Sequence, residues 1–209
     1  PVRAKELGMD AMAITDHGVM FGAIDFYKAC KANGVKPIIG CEVYVAPRTM
    51  KDKDPVLDAK YNHLILLAKD NNGYKNLIKL VSLGFTDGFY YKPRIDKEAL
   101  EKYHEGIICS SACLAGEIPS KILQGNIEGA KQSALWFKKL FGEDYYLEIQ
   151  NNGVKEQVMA NQKLIQMARE LDIPLLATND SHYLKKEDAY NHEVLLCIQT
   201  GKRMSDPDR

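Results

Sequence analysis

The sequence predicts an α/β fold in which parallel strands alternate with crossover helices. Short apolar runs alternate with amphipathic stretches six times along the chain, which is the pattern of consecutive strand–helix units. The runs have the length of strands, and the stretches between them have the apolar spacing of helices. Two helical stretches also end in glycine, a common helix stop. An open doubly wound sheet and a barrel both satisfy these observations.

Each apolar run is predicted to be one strand. The six strands are AMAIT (11–15), KPIIGCEVYVA (36–46), HLILLA (63–68), GIICSS (106–111), YYLEIQ (145–150) and IPLLATN (173–179). The helical patterns are 21–34, 72–84, KEALEKY with Asp96 as its cap, one or two helices within 117–141, then 154–172 and 189–201. The stretch 47–62 is predicted to be a long polar loop with solvated charges.

Composition is that of an ordinary globular protein. The chain has 209 residues, of which 45% are hydrophobic and 27% charged, and its formal net charge is zero. A domain that binds nucleic acid mainly by charge would be more basic, so any such contact is predicted to be local. No apolar run is long enough to span a membrane. The chain begins with Pro inside a helical pattern, so the natural protein is predicted to continue upstream.

Cysteine usage favours a reducing compartment. There are five cysteines, their spacing is irregular, and no CxxC pair occurs. An odd number without a disulfide or zinc-finger spacing is typical of a reduced protein. We therefore predict a cytoplasmic protein.

Residue types that bind metals border most of the predicted strands. Asp16 and His17 follow the first strand, Cys113 comes shortly after the fourth, and Asp180 and His182 follow the last. Functional residues gather at the carboxyl ends of parallel strands, and carboxylate, imidazole and thiolate are metal ligands. In an extended D-x-H segment, Asp180 and His182 would point the same way.

Two further candidates lie within the strands, and each candidate has a simpler explanation. Glu42 falls inside the second strand, and His63 precedes its apolar run, a position that strand direction does not explain. TDHG is a common turn sequence, Cys113 alone could be a buried small side chain, and His63 alone could be a strand histidine. The whole set nevertheless predicts a metal site. Several hard ligands indicate more than one ion, an arrangement that hydrolyses phosphate esters.

Seven segments in order resemble a known family. They are AITDHG, IIGCEVYVAP, YNHLILLAKDNNGYKNL, GFYYKPRID, CSSACLAGEIP, YYLEIQNNG and LLATNDSHYL. They are similar to the polymerase-and-histidinol-phosphatase (PHP) domain at the amino end of bacterial DNA polymerase III alpha subunits. The resemblance covers essentially the whole chain, so residues 1–209 are predicted to be one PHP domain. FYYKPRID and CSSACLAGE are its specific parts, whereas TDHG and D-x-H belong to the wider superfamily.

The resemblance implies a fold, a metal cluster and an activity. The implied fold is a distorted (β/α)7 TIM-like barrel with up to three zinc, manganese or iron ions. The implied metal ligands are His17, Glu42, His63, Cys113, Asp180 and His182. Asp16 is implied to support these ligands without binding metal itself. No catalytic side chain is assigned, because water activated by the metals is expected to attack the phosphodiester. The expected activity is 3′–5′ exonuclease proofreading within a DNA-directed DNA polymerase.

The chain departs from the family pattern at its start. The family's first strand carries H-x-H with an acidic residue nearby, and this motif is absent here. The resemblance therefore implies a fragment of a larger polymerase subunit that lacks the first strand of the barrel and holds fewer metals. The catalytic aspartates of a polymerase palm are also absent, so the fragment alone is not expected to polymerise. The implied partners are DNA and other replicase subunits, including a proofreading exonuclease subunit, with no membrane.

FYYKPR has two interpretations. Its aromatics could stack on bases while Lys92 and Arg94 hold phosphates, a local nucleic-acid contact. The favoured alternative is a loop in which Phe89, Tyr90 and Tyr91 pack on the barrel.

Two other functions stay open beside the polymerase reading. One is a free-standing PHP phosphatase that acts on a small phosphomonoester such as histidinol phosphate. The other is a non-catalytic module that braces the polymerase and docks a partner subunit.

Overall fold

The structure, a computed structural model, describes residues 1–207, which fall into two compact units. Pro1–Thr178 forms the first unit and Asn179–Arg209 the second. The strands are β1 Ala11–Ile14, β2 Lys36–Val45, β3 Asn62–Ala68, β4 Phe89–Tyr90, β5 Lys92–Ile95, β6 Ile107–Ser110, β7 Tyr145–Gln150 and β8 Leu175–Thr178. The helices are α1 Val2–Glu6, α2 Ala23–Ala32, α3 Asn71–Thr86, α4 Lys97–Tyr103, α5 Glu117–Leu123, α6 Ile127–Phe141, α7 Lys155–Leu171 and α8 Ala189–Thr200. The last helix belongs to the second unit.

All eight strands join one sheet in the first unit. Its order is β4-β5-β2-β3-β6-β7-β8, and β1 pairs with the first half of β2. Strands β4 and β8, at the two ends of this order, do not pair with each other within residues 1–178, so the sheet is an open part of a barrel. This arrangement agrees with the predicted α/β class and with a barrel that lacks a strand.

The prediction of an all-parallel sheet is wrong for β3. This strand runs antiparallel to both of its neighbours, β2 and β6, and β4 and β5 form an antiparallel hairpin that the sequence patterns did not indicate. The pairs β1–β2, β2–β5, β6–β7 and β7–β8 are parallel. A parallel neighbour needs a crossover connection, usually a helix, whereas β2 and β3 are joined by the loop 46–61 without one.

The two faces of the sheet have different chemistry. Cys41, Leu66, Cys109 and Tyr145 are opposite one another across β2, β3, β6 and β7, and none of their surface is exposed. The helices pack on this face, where the ring of Phe137 stacks on Tyr145 at 5.4 Å between centroids. Because neighbours along a strand point to opposite faces, the alternate residues turn the other way. That opposite face carries the polar side chains of the candidate site.

Helix boundaries follow local sequence signals, with one exception. Asp96 begins α4 and its side chain accepts a hydrogen bond from the Ala99 amide, as predicted. Residues 117–141 form two helices, α5 and α6. The predicted stop at Gly84 is wrong, because α3 continues to Thr86. A side chain at Gly84 would lie 3.2 Å from the Pro93 backbone, so this glycine permits close packing of α3 on β5.

The polar loop between β2 and β3 is ordered by two buried charged residues, Asp58 of the loop and Arg94 of β5, whereas most of its other charged side chains are exposed, as predicted. Asp58 is buried and accepts two hydrogen bonds from Arg48, at 2.9 and 2.5 Å. Arg94 is also fully buried, and its guanidinium donates to the backbone carbonyls of Met50, Asp52, Asp58 and Gly88. Strand β5 therefore holds the loop in a fixed conformation immediately before His63.

Glu117 should stabilise the fold at neutral pH. Burial alone would raise its pKa, but Lys121 and Ser133 donate hydrogen bonds to it at 2.7 and 2.6 Å, and Lys97 lies 3.2 Å away. The net result is a pKa below the ordinary value of 4.5. A carboxyl whose pKa is lower in the folded state stabilises that state above the unfolded pKa, and this is lost as pH falls through the folded pKa.

We therefore expect Glu117→Gln to lower the free energy of unfolding at neutral pH, measured by urea denaturation. The difference from the unsubstituted protein should shrink as pH falls below 4.5. Glu128→Gln, at an exposed position on α6, is the control and should change little. A difference that stays constant or grows in acid would contradict this assignment.

Two global findings complete the fold. No disulfide joins the five cysteines within residues 1–207. In the same part of the chain, no helix is both long enough and apolar enough to cross a membrane.

Candidate metal centre

His17 is brought to Glu42 by the end of β1. Beyond Ile14 the chain continues beside β2, where the Glu42 amide donates to the Asp16 carbonyl and the Gly18 amide donates to the Glu42 carbonyl. This pairing places His17 Nδ1 3.2 Å from Glu42 Oε2. The predicted strand-end position of His17 is thus confirmed.

The antiparallel direction of β3 explains the position of His63. Because β3 runs opposite to β2, its first residues lie beside the last residues of β2, and His63 pairs with Tyr44. Glu42 and Tyr44 are two residues apart on β2 and share a face with His63. His63 Nδ1 donates to Glu42 Oε1 at 2.6 Å. A histidine at the start of an antiparallel strand therefore lies at the same edge of the sheet as one at the end of a parallel strand.

Cys113 reaches the same carboxylate through a tight loop after β6. Ala112 has a left-handed backbone with φ of 60°, the Gly116 amide donates to the Cys113 carbonyl, and the His63 amide donates to the Ala115 carbonyl. A side chain at Gly116 would lie 2.1 Å from the Ser111 carbonyl oxygen, so the loop requires glycine there. Cys113 Sγ consequently lies 3.7 Å from Glu42 Oε1 and 3.6 Å from His63 Nδ1.

Glu42 is the centre of this group and is held ionised. Its side chain is almost completely buried, and burial alone would raise its pKa. The hydrogen bond from His63 and the charge of His17 outweigh burial, so the pKa lies below the usual value. The neighbouring Cys41 behaves differently. Burial raises the pKa of its thiol to about 12, so Cys41 is a core residue without ligand character.

The donor set fits a divalent cation. One donor atom from each of His17, Glu42 and His63 lies within 4.8 Å of the others. Ligands about 2.0–2.3 Å from a common zinc ion have similar separations. Two imidazoles, one carboxylate and the nearby Cys113 thiol form the mixed nitrogen, oxygen and sulfur set that zinc and other transition metals accept.

An aromatic wall formed by Tyr44 and Tyr61 borders the histidines, and the sequence interpretation missed it. The Tyr44 ring stacks on His17 with centroids 6.2 Å apart and meets His63 edge-on at 5.3 Å. Tyr61 stacks on His63 at 6.1 Å and contacts Tyr44 edge-on at 4.8 Å. Burial, with Tyr61 and Glu42 nearby, raises the pKa of Tyr44 to about 12. The sequence signal for Tyr44 was its position two residues after Glu42 in the same predicted strand, which places both side chains on one face of the sheet.

Glu148 is a second buried carboxylate on this sheet that sequence reasoning overlooked. The hydroxyls of Ser110 and Thr178 and the amide of Gln150 donate to it, so it ties the ends of β6, β7 and β8 together. Three donors satisfy both of its oxygens, and its role in the described residues is structural. An acidic residue inside an otherwise apolar strand run was the signal for it.

The remaining predicted ligands lie in the second unit. Asp180 and His182 are close to each other, with Asp180 Oδ1 3.9 Å from His182 Nδ1. The premise of an extended D-x-H segment is wrong, because β8 ends at Thr178 and Asp180 has a left-handed backbone with φ of 50°. The ring of His182 also contacts that of His192, with centroids 5.8 Å apart. Their membership in the metal site stays a prediction.

Three other predicted residues have mixed outcomes. Asp16 contributes its backbone carbonyl, which accepts from Glu42 and from the Cys41 thiol, while its side chain is exposed. Arg94 is buried among carbonyls and has a structural role, which contradicts the less favoured interpretation in which it holds a phosphate. Lys92 instead lies at the site, with its ammonium 5.6 Å from the centre of the Tyr44 ring.

Comparisons with known proteins agree on a family. Residues 2–152 match the family model described as the PHP domain. The chain is 52% identical over 209 residues to DNA polymerase III subunit alpha of Borreliella burgdorferi, covering 99% of this chain and 18% of that protein. The Treponema pallidum subunit is 48% identical, and the match covers 99% of this chain and 18% of that protein. The Thermus aquaticus subunit is also 48% identical, with 95% of this chain and 16% of that protein covered. The chain therefore spans less than a fifth of these curated relatives.

Solved structures were matched as well, and one of them shows how similar the fold is. It is a crystal structure of a proposed metal-dependent phosphoesterase from Bifidobacterium adolescentis. The match covers 93% of this chain and 88% of that protein's chain, with 14% sequence identity and a TM-score of 0.45. A likeness of this size supports no conclusion about the activity of the chain.

Proposed function

Because the chain belongs to the PHP domain family, we propose that it holds divalent cations for the hydrolysis of phosphate esters. The observation that supports this function is the convergence of His17, Glu42, His63 and Cys113 from four separate segments. Glu42 is nearly buried and ionised, and its oxygens hold both imidazoles by their Nδ1 atoms. Buried carboxylates of this kind are costly unless paired, so the arrangement favours a cationic occupant.

The residues of the site have distinct roles in this proposal. A bound divalent cation supplies a Lewis acid that stabilises charge on phosphoryl oxygens and lowers the pKa of water. His17, Glu42, His63 and Cys113 would hold that cation. Tyr44 and Tyr61 fix the orientation of the imidazoles by ring contacts and exclude water from one side of them.

The wider proposal concerns the protein to which the chain belongs. Its curated relatives are DNA polymerase III alpha subunits, so we infer that it is the PHP domain of such a polymerase, acting with DNA and other replicase subunits in the cytoplasm. Within that protein the expected reaction is 3′–5′ exonucleolytic removal of a nucleotide, with zinc, manganese or iron as the cation. Polymerisation itself would belong to other parts of the larger protein.

The test is hydrolysis before and after metal removal. The polypeptide that contains this chain is stripped with a chelator and reloaded with zinc or manganese, and cleavage of bis(p-nitrophenyl) phosphate and of a 3′-labelled oligonucleotide is measured. We expect cleavage to disappear with the metal and to return on reloading. His63→Gln should abolish it, whereas His104→Gln, which changes a histidine outside the cluster, should not. Metal binding without cleavage in any loaded form would favour the bracing module instead.

A further inference from the structure

The β4–β5 hairpin presents a cation beside the candidate metal centre. The Lys92 ammonium lies 5.6 Å from the centre of the Tyr44 ring, and that ring lies 6.2 Å from the His17 ring. Lys92 Nζ is therefore no more than about 12 Å from His17. Along one strand of DNA a phosphate recurs at about every 3.4 Å of axial rise. A strand whose terminal phosphodiester is at the metal centre thus has other phosphates within reach of Lys92.

Lys92 keeps its charge available for a ligand. Within Pro1–Thr178, it forms no salt bridge, whereas Lys69, Lys97, Lys121 and Lys131 are each paired with a carboxylate. Its ammonium lies over the face of the Tyr44 ring, which orients the charge without neutralising it. The chain as a whole has zero net charge, so a local cation of this kind is the sort of contact that the composition allows.

Tyr91 at the tip of the same hairpin is exposed in a strained conformation. It is 70% exposed and its φ is 59°, in the left-handed region that is strained for a residue with a Cβ. Glycine or asparagine would be relaxed there. Its ring lies 4.5 Å from that of Tyr90, which in turn packs over the buried Arg94 guanidinium at 5.1 Å. The buried Arg94 thus supports Tyr90, and Tyr90 in turn supports the solvent-exposed ring of Tyr91.

We propose that this hairpin is a binding subsite for unpaired nucleic-acid strand, next to the metal centre. The Tyr91 ring stacks on a base, and the Lys92 ammonium binds a backbone phosphate of the same strand. Both contacts are independent of base sequence, because every base has a π-face and every nucleotide a phosphate. Arg94 serves the subsite indirectly, by fixing Tyr90 and the adjoining loop. This inference rests on the proposed phosphoesterase function and names the substrate as a strand end instead of a small phosphomonoester.

The first test compares two substrates in the metal-loaded polypeptide that contains this chain. Tyr91→Gly should raise KM for a 3′-labelled oligodeoxythymidylate by about fivefold to a hundredfold, while kcat/KM for bis(p-nitrophenyl) phosphate stays unchanged. Lys92→Gln should raise the same KM and reduce the slope of log KM against log salt concentration by about 0.7. Matched controls are Tyr27→Ala, an exposed tyrosine on α2, and Lys102→Gln, whose ammonium lies over the Tyr103 ring.

The outcomes separate the two substrate classes. Unchanged oligonucleotide KM in Tyr91→Gly and Lys92→Gln overturns the subsite. A variant Lys92→Gln that impairs both substrates equally, with Tyr91→Gly normal, also overturns it, because Lys92 would then serve a small phosphoester. Because glycine adopts a left-handed backbone without strain, Tyr91→Gly should keep the hairpin, and an unchanged thermal midpoint of that variant separates a loss of affinity from unfolding.

A second test needs no hydrolysis. An oligodeoxythymidylate that carries 5-iodouracil near its 3′ end is irradiated with the same polypeptide, and adducts are located by peptide mapping. We expect an adduct on Tyr91, and Lys92→Gln should reduce its yield. An adduct on Tyr91 in a protein that cleaves no phosphodiester would support the subsite while the proposed catalysis fails. Cleavage of the oligonucleotide with adducts only outside residues 89–95 would overturn the subsite alone.

Discussion

Replacing Glu42 by glutamine should abolish divalent-cation binding in the first unit. This carboxylate lies within 3.2 Å of His17 Nδ1, 2.6 Å of His63 Nδ1 and 3.7 Å of Cys113 Sγ, so it is shared by the whole cluster. Glutamine keeps the shape but removes the charge that the cation pairs with. Loss of a supporting residue around a metal typically costs about 10–100-fold in affinity, and loss of a central ligand should cost at least as much.

The measurement is the thermal midpoint with and without added zinc or manganese. A ligand at about 100 times its Kd adds about 2.7 kcal/mol to the free energy of unfolding. For a chain of this size that corresponds to a rise in Tm of about 5–10 °C. The unsubstituted protein should show the rise and Glu42→Gln should not. Glu117→Gln, which alters a buried carboxylate outside the cluster, should keep it. An equal rise in Glu42→Gln would place the cation elsewhere.

Replacing Arg94 by methionine should cause the largest loss of stability of any substitution considered. The Arg94 guanidinium is fully buried and donates to four backbone carbonyls, with distances from 2.8 to 3.2 Å. Methionine fills similar volume but removes the side-chain donor from all four carbonyls, and only that of Gly88 keeps a bond from the backbone amide of residue 94. Hydrogen bonds to charged groups contribute about 1.5–3 kcal/mol each, and the losses are not additive. We expect the free energy of unfolding to fall by about 3–5 kcal/mol, measured by urea denaturation.

Two further variants define the cause of that loss. Arg94→Lys retains the charge but loses the planar guanidinium with its several donors. Its free energy of unfolding should therefore fall as well, but by less than that of Arg94→Met. Arg3→Met removes an exposed arginine that pairs with Glu6, and it should change stability by less than about 0.5 kcal/mol. A loss under about 1 kcal/mol for Arg94→Met would show that the loop 46–61 is held by other contacts.

Local patterns in the sequence predicted the elements well. The six apolar runs became β1, β2, β3, β6, β7 and β8, and the caps and apolar spacing placed the helices within a few residues. These features are set by short-range geometry, such as the Asp96 side chain that caps α4. Four of the six predicted ligands, His17, Glu42, His63 and Cys113, were brought together by the fold.

Strand direction and burial of charge were beyond such patterns. An apolar run reads the same whether its strand is parallel or antiparallel, so the sequence could not show why His63 begins β3. The lack of a helical pattern in 47–61 was a usable hint, since parallel neighbours need a crossover. Arg94 resembled a surface residue because its partners are backbone carbonyls of a distant loop, which have no sequence signature. The sequence offered Tyr91 both as a packing residue and as a base-stacking one, and its exposure and left-handed backbone were visible only in the structure.

The most direct measurement of the metal centre is the optical spectrum of the polypeptide reloaded with Co²⁺ in place of the native cation. A thiolate ligand gives cobalt a charge-transfer band in the near ultraviolet. We predict that this band appears at stoichiometric cobalt, disappears in Cys113→Ser, and is lost with all cobalt binding in Glu42→Gln. Cobalt binding without the band, at an affinity unchanged by Glu42→Gln, would contradict a centre built from His17, Glu42, His63 and Cys113.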